Sequence, residues 1–174
     1  MAALRQLLSG LAPSLQAPVV AVCHTASEDP SLLLQALAST SPLPVREAQE
    51  RHPPLPGTVS VAPGGYHLLI ERDGRFALSV DARVRYSRPS IDVLFESAAR
   101  CHGPALIGVV LTGANDDGAA GLAAIRARGG LALVQAPDEA EVPTMPQAAI
   151  QRAGADHITT LAGIAALLNT HSAT

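Results

Sequence analysis

Residues 107–121 read IGVVLTGANDDGAAG, and this stretch decides the fold class of the chain. The apolar residues 107–111 predict a buried strand, and an amphipathic helix is predicted from Ala119 to Arg128 after an acidic turn. In open α/β sheets, ligands bind beyond the carboxyl ends of the strands. Asp116 and Asp117 are therefore the first candidates for chemistry. The alternative is that one of them caps the helix that follows.

The turn does not fit a nucleotide-binding loop. Gly113 and Gly118 have the spacing of a phosphate-cradling loop, but Ala119 stands where that loop needs Lys and Ala120 where it needs Ser or Thr. Two adjacent carboxylates would also repel a pyrophosphate. We therefore expect no nucleotide and no other cofactor here.

Composition limits the class of protein. The 174 residues are 48% hydrophobic and 16% charged, which is typical of one folded domain. The net charge is −3 without a basic tract, which argues against nucleic acid and anionic membranes as partners. Two cysteines make no disulfide framework and fit a reducing cytoplasm. The six histidines have no metal-ligand spacing, so no metal site is expected.

Strands alternate with helices along the chain, which predicts an α/β fold with a doubly wound, largely parallel sheet and helices on both faces. We expect one domain over residues 1–168 and a frayed tail over 169–174. A strand is predicted over 19–23, and helices over 146–153 and 161–168. Ser90 is predicted to be the N-cap of a helix that runs to about Cys101.

His24 ends the strand predicted over 19–23. If that strand runs parallel to 107–111, His24 and Asp117 open into the same crevice, and an imidazole held by a carboxylate is the base half of a Ser-His-Asp arrangement. The alternative is a strand-end histidine bonded to a loop carbonyl. No G-x-S-x-G turn is present, and none of the remaining candidates is a convincing nucleophile: Ser9, Cys23, Ser27, Ser87 and Ser90.

The chain resembles the catalytic domain of bacterial chemotaxis protein-glutamate methylesterases. The matching segments are SPLPVREAQE (41–50), APGGYHL (62–68), RPSIDVLFESAA (88–99), GVVLTGANDDGAAGLAAI (108–125) and MPQAAI (145–150). The resemblance implies hydrolysis of glutamate methyl esters, and deamidation of glutamines, on the cytoplasmic helices of chemoreceptors. It also implies that His24 and Asp117 occupy the histidine and aspartate positions of the family's catalytic triad.

The family serine lies in a Gly-Ala-Ser-x-Gly-Gly turn directly before the first helix, whereas the first helix predicted here starts at Met1. We therefore expect the strand and turn that carry the nucleophile to be missing, either by truncation or by nature. Two functions follow as hypotheses: an esterase, or a non-catalytic module that binds receptor helices or other chemosensory proteins. Losing a central strand must close the gap, rearrange the sheet, or expose edges that a second subunit covers, and we expect a homodimer.

Overall fold

The structure is a computed structural model that describes residues 1–24 and 30–171. Within these ranges the chain forms six α-helices, eight strands and a 3₁₀ turn over Gly103–Ala105. The helices are α1 (Ala2–Ser9), α2 (Pro30–Ala38), α3 (Ile91–His102), α4 (Ala119–Ala127), α5 (Thr144–Ala153) and α6 (Leu161–His171). The strands are β1 (Val19–Ala21), β2 (Val45–Glu47), β3 (Val59–Val61), β4 (His67–Ile70), β5 (Phe76–Ser79), β6 (Ile107–Val110), β7 (Leu131–Gln135) and β8 (His157–Thr159).

The strands form two parallel sheets and one antiparallel hairpin. The first sheet has the order β1-β3-β2 and the second β6-β7-β8, while β4 pairs with β5. The predicted α/β class with parallel strands flanked by helices is confirmed. The described residues differ from the prediction in one respect, because no hydrogen-bonded ladder joins β1 to β6 and the sheet is divided there.

Helices cover both faces of the sheets, and β7 shows why. Leu133 packs with Ala3 and Leu7 of α1 and with residues of α6, whereas Ala132 and Val134 pack with α4 and α5 on the opposite side. Successive strand residues point to opposite faces, so an uninterrupted apolar run such as 131–134 needs a helical layer on each side. The sequence LALV is therefore the local cause of a three-layer arrangement.

A cavity of about 930 Å³ separates the two parallel sheets. We call it the central slot. Residues of β1 and β6 line its sides, α1 lines one face, and α3 lines the other. Protein interiors normally contain few voids larger than a water molecule, so a space of this size inside the sheet layer is exceptional. Of the outcomes expected if a central strand is missing, the described residues show neither a closed gap nor a rearranged sheet, and the facing edges of β1 and β6 have no strand partner.

Several helix and strand ends differ from the sequence prediction. Strand β1 ends at Ala21 rather than at residue 23, and α5 begins at Thr144, two residues before Pro146. Proline is compatible with the first turn of a helix because its missing N–H would have no intrahelical partner there. Helix α6 continues to His171, and the residues predicted to fray include Asn169, whose side chain accepts from the Ala12 N–H at 2.8 Å and donates to the Gly10 carbonyl at 3.0 Å. Residues 172–174 lie outside the described part.

Helices α3 and α4 approach closely at Gly121. A Cβ atom at this glycine would stand 2.5 Å from the Phe95 Cβ and 3.1 Å from the Asp92 Cα. The close approach brings the first turns of the two helices together, and the candidate site is built at this point.

Replacing Gly121 by Ala should lower the free energy of unfolding by about 1–3 kcal/mol, because the methyl group overlaps α3. The steric cost should exceed the gain in helix propensity of about 1 kcal/mol. The matched control is Gly64→Ala, since no atom lies within 4 Å of a Cβ built at Gly64. Urea unfolding measures both variants, and equal stability of the two would show that the close approach is absent in solution.

Candidate active site

The structure brings His24 and Asp117 together. His24 follows β1 and Asp117 lies in the turn between β6 and α4, so both stand at the carboxyl ends of parallel strands. The His24 Nε2 lies 2.8 Å from the Asp117 Oδ2. The imidazole is 26% exposed, whereas the carboxylate is fully buried. A buried carboxylate thus holds one ring nitrogen of an imidazole that solvent reaches.

Asp117 is held by five hydrogen bonds from neighbouring donors. Its Oδ1 accepts from the Ser90 hydroxyl at 2.8 Å, the Asp92 N–H at 2.9 Å and the Gly118 N–H at 3.0 Å, and its Oδ2 accepts from the Ile91 N–H at 2.7 Å and from His24. Burial alone would raise the pKa of Asp117, but the bonds from His24, Ser90 and the two α3 amides outweigh it and the net pKa is lowered. The carboxylate is therefore ionised at neutral pH.

Asp117 caps a helix, but not the helix that the sequence predicted. Its carboxylate accepts from the Ile91 and Asp92 N–H groups in the first turn of α3, whereas α4, whose N-cap residue is Gly118, has no side-chain cap. Ser90 is the N-cap residue of α3 as predicted, yet its hydroxyl donates to Asp117 instead of bonding its own helix. The packing of α3 on α4 places the ionised Asp117 carboxylate within hydrogen-bond distance of these α3 amides, and a negative charge is favourable at a helix N-terminus.

Asp92 makes the reciprocal contact. Its Oδ1 accepts from the Gly121 N–H of α4 at 2.7 Å. Burial raises the pKa of Asp92, the Gly121 bond lowers it, and the nearby Asp117 charge raises it again, with a net increase. Each of the two helices thus donates a backbone N–H to a carboxylate that lies across the α3–α4 contact. The sequence analysis missed this pair; its one local signal is Gly121, a small residue on the face of α4 that meets α3.

Asp116 does not join His24. Its Oδ2 contacts the Arg85 Nη1, and the Arg85 Nε also lies 3.9 Å from the Asp92 Oδ2. The Asp116 side chain is 44% exposed. Of the two adjacent acids, only Asp117 points towards the imidazole, and the sequence had no signal that separates the two.

No described hydrogen bond joins the serine and cysteine candidates to the imidazole. The Ser9 hydroxyl donates to the Gln6 carbonyl, and the buried Ser90 hydroxyl donates to Asp117. Burial raises the pKa of the Cys23 thiol to about 11, so this thiol stays protonated at neutral pH. No hydrogen bond joins Ser87 to His24, and Ser27 lies outside the described residues.

Two further findings concern the described part of the chain. It contains no group of three or more His, Cys, Asp or Glu side chains arranged to hold a metal ion. No helix in it combines the length and the apolar character needed to cross a lipid bilayer. The chemistry that the His24–Asp117 geometry supports is that of an oriented imidazole base.

Comparison with known proteins gives concordant results. A family model described as CheB methylesterase matches residues 1–168. The crystal structure of the Thermotoga maritima CheB methylesterase catalytic domain superposes with a TM-score of 0.92 at 29% identity, over 97% of this chain and 91% of that domain.

Two sequence relatives carry the name protein-glutamate methylesterase/protein-glutamine glutaminase. The one from Leptospira interrogans is 43% identical over 165 residues, which make up 95% of this chain and 86% of the relative. The one from Albidiferax ferrireducens is 37% identical over 166 residues, which make up 94% of this chain and 48% of the relative. This chain therefore spans most of the first relative and about half of the second.

Replacing Asp117 by Asn should lower the free energy of unfolding at pH 7 by about 3 kcal/mol, because the amide turns an NH2 group towards buried N–H donors. The matched control is Asp116→Asn, which removes an exposed ion pair and should cost about 1 kcal/mol or less. Urea unfolding measures both variants. Equal losses would contradict the capping role assigned to Asp117.

The effect of Asp117→Asn should also depend on pH. The pKa of Asp117 is lower in the folded state, so its stabilisation is complete above the unfolded pKa of about 3.9 and disappears as the pH falls through the folded pKa. The difference in unfolding free energy between the wild type and Asp117→Asn should therefore shrink as the pH falls below about 4. A difference that grows on acidification would refute the assignment.

Proposed function

This chain belongs to the CheB methylesterase family, and we propose that it holds the base half of an ester-hydrolysing site of that family. In this proposal the imidazole of His24 takes the proton from an attacking hydroxyl, and Asp117 orients the ring and stabilises its cationic form. Because Nε2 bonds the carboxylate, Nδ1 is the nitrogen left to act as base. The substrate class is the glutamate methyl ester, or the glutamine side chain, that the relatives' names specify.

The observation that carries this proposal is the position of His24. Asp117 has a structural reason to be present, since it caps α3, and would be needed in a protein without catalysis. The described contacts give His24 no comparable structural role. It follows a short strand, is partly exposed, and bonds a carboxylate that already has four other donors. An imidazole oriented at the sheet edge is better explained by chemistry than by stability.

The reaction needs one more group. A hydroxyl oxygen must attack the ester carbonyl and pass its proton to the imidazole; the imidazole then returns the proton to the departing methanol, and water hydrolyses the resulting acyl intermediate. The base must lie within about 2.6–3.2 Å of that hydroxyl. None of Ser9, Ser87 and Ser90 bonds His24, so we propose that residues 1–24 and 30–171 do not hydrolyse the ester by themselves.

The second candidate is a non-catalytic module that binds the cytoplasmic helices of chemoreceptors or other chemosensory proteins. The capping role of Asp117 favours it, because this role would keep the aspartate in place without hydrolysis. Both candidates place the chain in the cytoplasm, and the free thiols of Cys23 and Cys101 fit a reducing compartment. A homodimer also remains a prediction.

A serine-reactive fluorophosphonate probe tests the first proposal. Incubation with the purified 174-residue chain should give no stoichiometric labelling, because no activated hydroxyl faces the imidazole in the described part. Intact-mass spectrometry measures the labelled fraction, and peptide mapping identifies any labelled serine, Ser27 included. Ser9→Ala is a variant with an unchanged site and should behave like the wild type.

The decisive control is His24→Ala. Stoichiometric labelling of the wild type that disappears in His24→Ala would show that these residues contain their own nucleophile, which would overturn the proposal. The variant should unfold within about 1 kcal/mol of the wild type, since Asp117 keeps four of its five donors. Urea unfolding checks this, so a loss of labelling cannot be attributed to a loss of fold.

A further inference from the structure

Residues 80–88 form a loop beside the candidate site, and we call this segment the rim loop. Its tip is a two-residue hairpin turn, in which the Val84 N–H donates to the Ser87 carbonyl at 3.1 Å and the Ser87 N–H donates to the Val84 carbonyl at 2.8 Å. The two residues between them, Arg85 and Tyr86, have φ angles of 49° and 65°. A hairpin turn in which both central φ angles are positive is type I′.

The turn carries side chains that its backbone geometry disfavours. Positive φ at both central positions favours Asn, Asp and Gly, because a larger side chain brings its Cβ too close to the backbone. Arg85 and Tyr86 are therefore strained, and strained residues of this kind cluster at active sites and ligand clamps. The strain directs attention to what these two side chains do.

The rim loop also exposes apolar surface. Tyr86 is 95% exposed and Val80 is 68% exposed, which are the two highest values among the large hydrophobic side chains of the described residues. The whole chain has two tyrosines, two phenylalanines and no tryptophan, so aromatic rings are scarce. Packing inside the fold does not account for the Tyr86 ring. Tyrosine is among the residues that contribute most binding energy in protein interfaces.

A buried histidine connects the rim loop to the candidate site. His67 is 1% exposed, and its Nε2 donates to the Ala82 carbonyl of the loop at 3.0 Å. Its Nδ1 accepts from the Ser90 N–H at 3.2 Å, and the Ser90 hydroxyl donates to Asp117. The loop and the carboxylate that holds His24 are thus joined through one buried imidazole.

The tip and the base of the rim loop are fixed as well. At the tip, the Arg85 Nη1 contacts the Asp116 Oδ2. At the base, the Arg88 Nη1 donates to the Val80 carbonyl at 2.7 Å and to the Asp81 carbonyl at 3.0 Å. A loop that is already fixed loses little conformational entropy when a partner binds it.

The rim loop is cationic in a chain that is anionic overall. It contains Arg83, Arg85 and Arg88 against Asp81, whereas the net charge of the chain is −3. Arg85 is matched by Asp116, and Arg88 bonds backbone carbonyls. Arg83 is exposed, and its side chain has no partner among the described residues. Its guanidinium is therefore able to pair with an anion on another molecule.

The ester of the proposed substrate does not need this cation. A glutamate methyl ester is uncharged, so a guanidinium beside the site pairs with a different group of the same polypeptide. A carboxylate fits, because it accepts two N–H groups of the planar guanidinium at once. The exposed tyrosine ring fits an aliphatic side chain, since most of its surface is apolar.

We propose that the rim loop recognises the polypeptide that carries the ester. Tyr86 packs on an aliphatic side chain of that polypeptide, and Arg83 pairs with one of its carboxylates. The substrate is then a glutamate methyl ester, or a glutamine, in an acidic sequence with aliphatic residues nearby. The reacting group is that of the proposed function, on which this inference rests. Recognition does not require hydrolysis, so a binding assay tests it and the fluorophosphonate experiment tests the proposed function separately.

The binding assay titrates a labelled peptide with the purified 174-residue chain and follows fluorescence anisotropy at low ionic strength. The acidic peptide is fluorescein-Ala-Glu-Leu-Ala-Glu(OMe)-Leu-Ala-Glu-Ala-amide, and in the neutral peptide Gln replaces the two free Glu residues. The acidic peptide should bind about 2–5-fold more tightly, because it gains an exposed ion pair. This preference should shrink as salt is added, since salt screens exposed charges.

Tyr86→Gly should weaken binding of the acidic peptide by about tenfold, because the aromatic contact is lost. The same variant should raise the Tm by about 2 °C, since glycine adopts a φ of 65° without strain. Lower affinity together with higher stability separates a recognition role from a structural one. The matched control is Ile158→Ala, which removes another exposed apolar side chain, on β8, and should bind the peptide like the wild type.

Arg83→Gln should bind the acidic and neutral peptides equally, because the preference depends on this guanidinium. The matched control is Arg128→Gln, which removes an exposed arginine between α4 and β7, at the amino ends of the strands, and should keep the preference. Three results would each overturn the proposal: no binding of the acidic peptide, unchanged affinity in Tyr86→Gly, or a full preference for the acidic peptide in Arg83→Gln.

Discussion

One buried carboxylate, that of Asp117, fixes the elements that form the candidate active site. Asp117 is fully buried, and an ionised carboxylate in that position is unfavourable unless donors replace its lost water. Five hydrogen bonds do so, and they come from the first turn of α3, from the chain that enters α4, and from His24 beyond β1. Removing the charge would leave those donors without a partner, so the orientation of α3, of the acidic turn and of the imidazole all depend on it.

The sequence was sufficient for what depends on local pattern. The run 107–111 predicted a strand. A parallel arrangement of the strands over 19–23 and 107–111 predicted that His24 and Asp117 open into one crevice, and the structure brings these two side chains together. It was insufficient where a contact joins distant segments. One of Asp116 and Asp117 was expected, as an alternative to chemistry, to cap the helix that follows. The packing of α3 on α4 at Gly121 instead offers Asp117 amides from a helix that begins 26 residues earlier. Asp116 and Asp117 are likewise indistinguishable until the position of Arg85 is known.

For a related reason, the sequence could not predict whether the gap between β1 and β6 closes or stays open. The resemblance to the family implied that a central strand is missing, but three consequences were compatible with it. The slot stays open because contacts outside the sheet layer hold the two halves in place. Helix α1 packs on β3 through Leu8 and on β7 through Leu7, so it bridges the two sheets. Such spanning contacts depend on tertiary structure that no local period encodes.

The slot and the candidate site are mechanically connected. His24 follows β1 and Asp117 follows β6, so their hydrogen bond crosses the end of the slot. Asp117 is fixed by the first turn of α3 and by Ser90, whereas His24 has a single described side-chain bond. A change in the separation of β1 and β6 therefore acts on the imidazole rather than on the carboxylate.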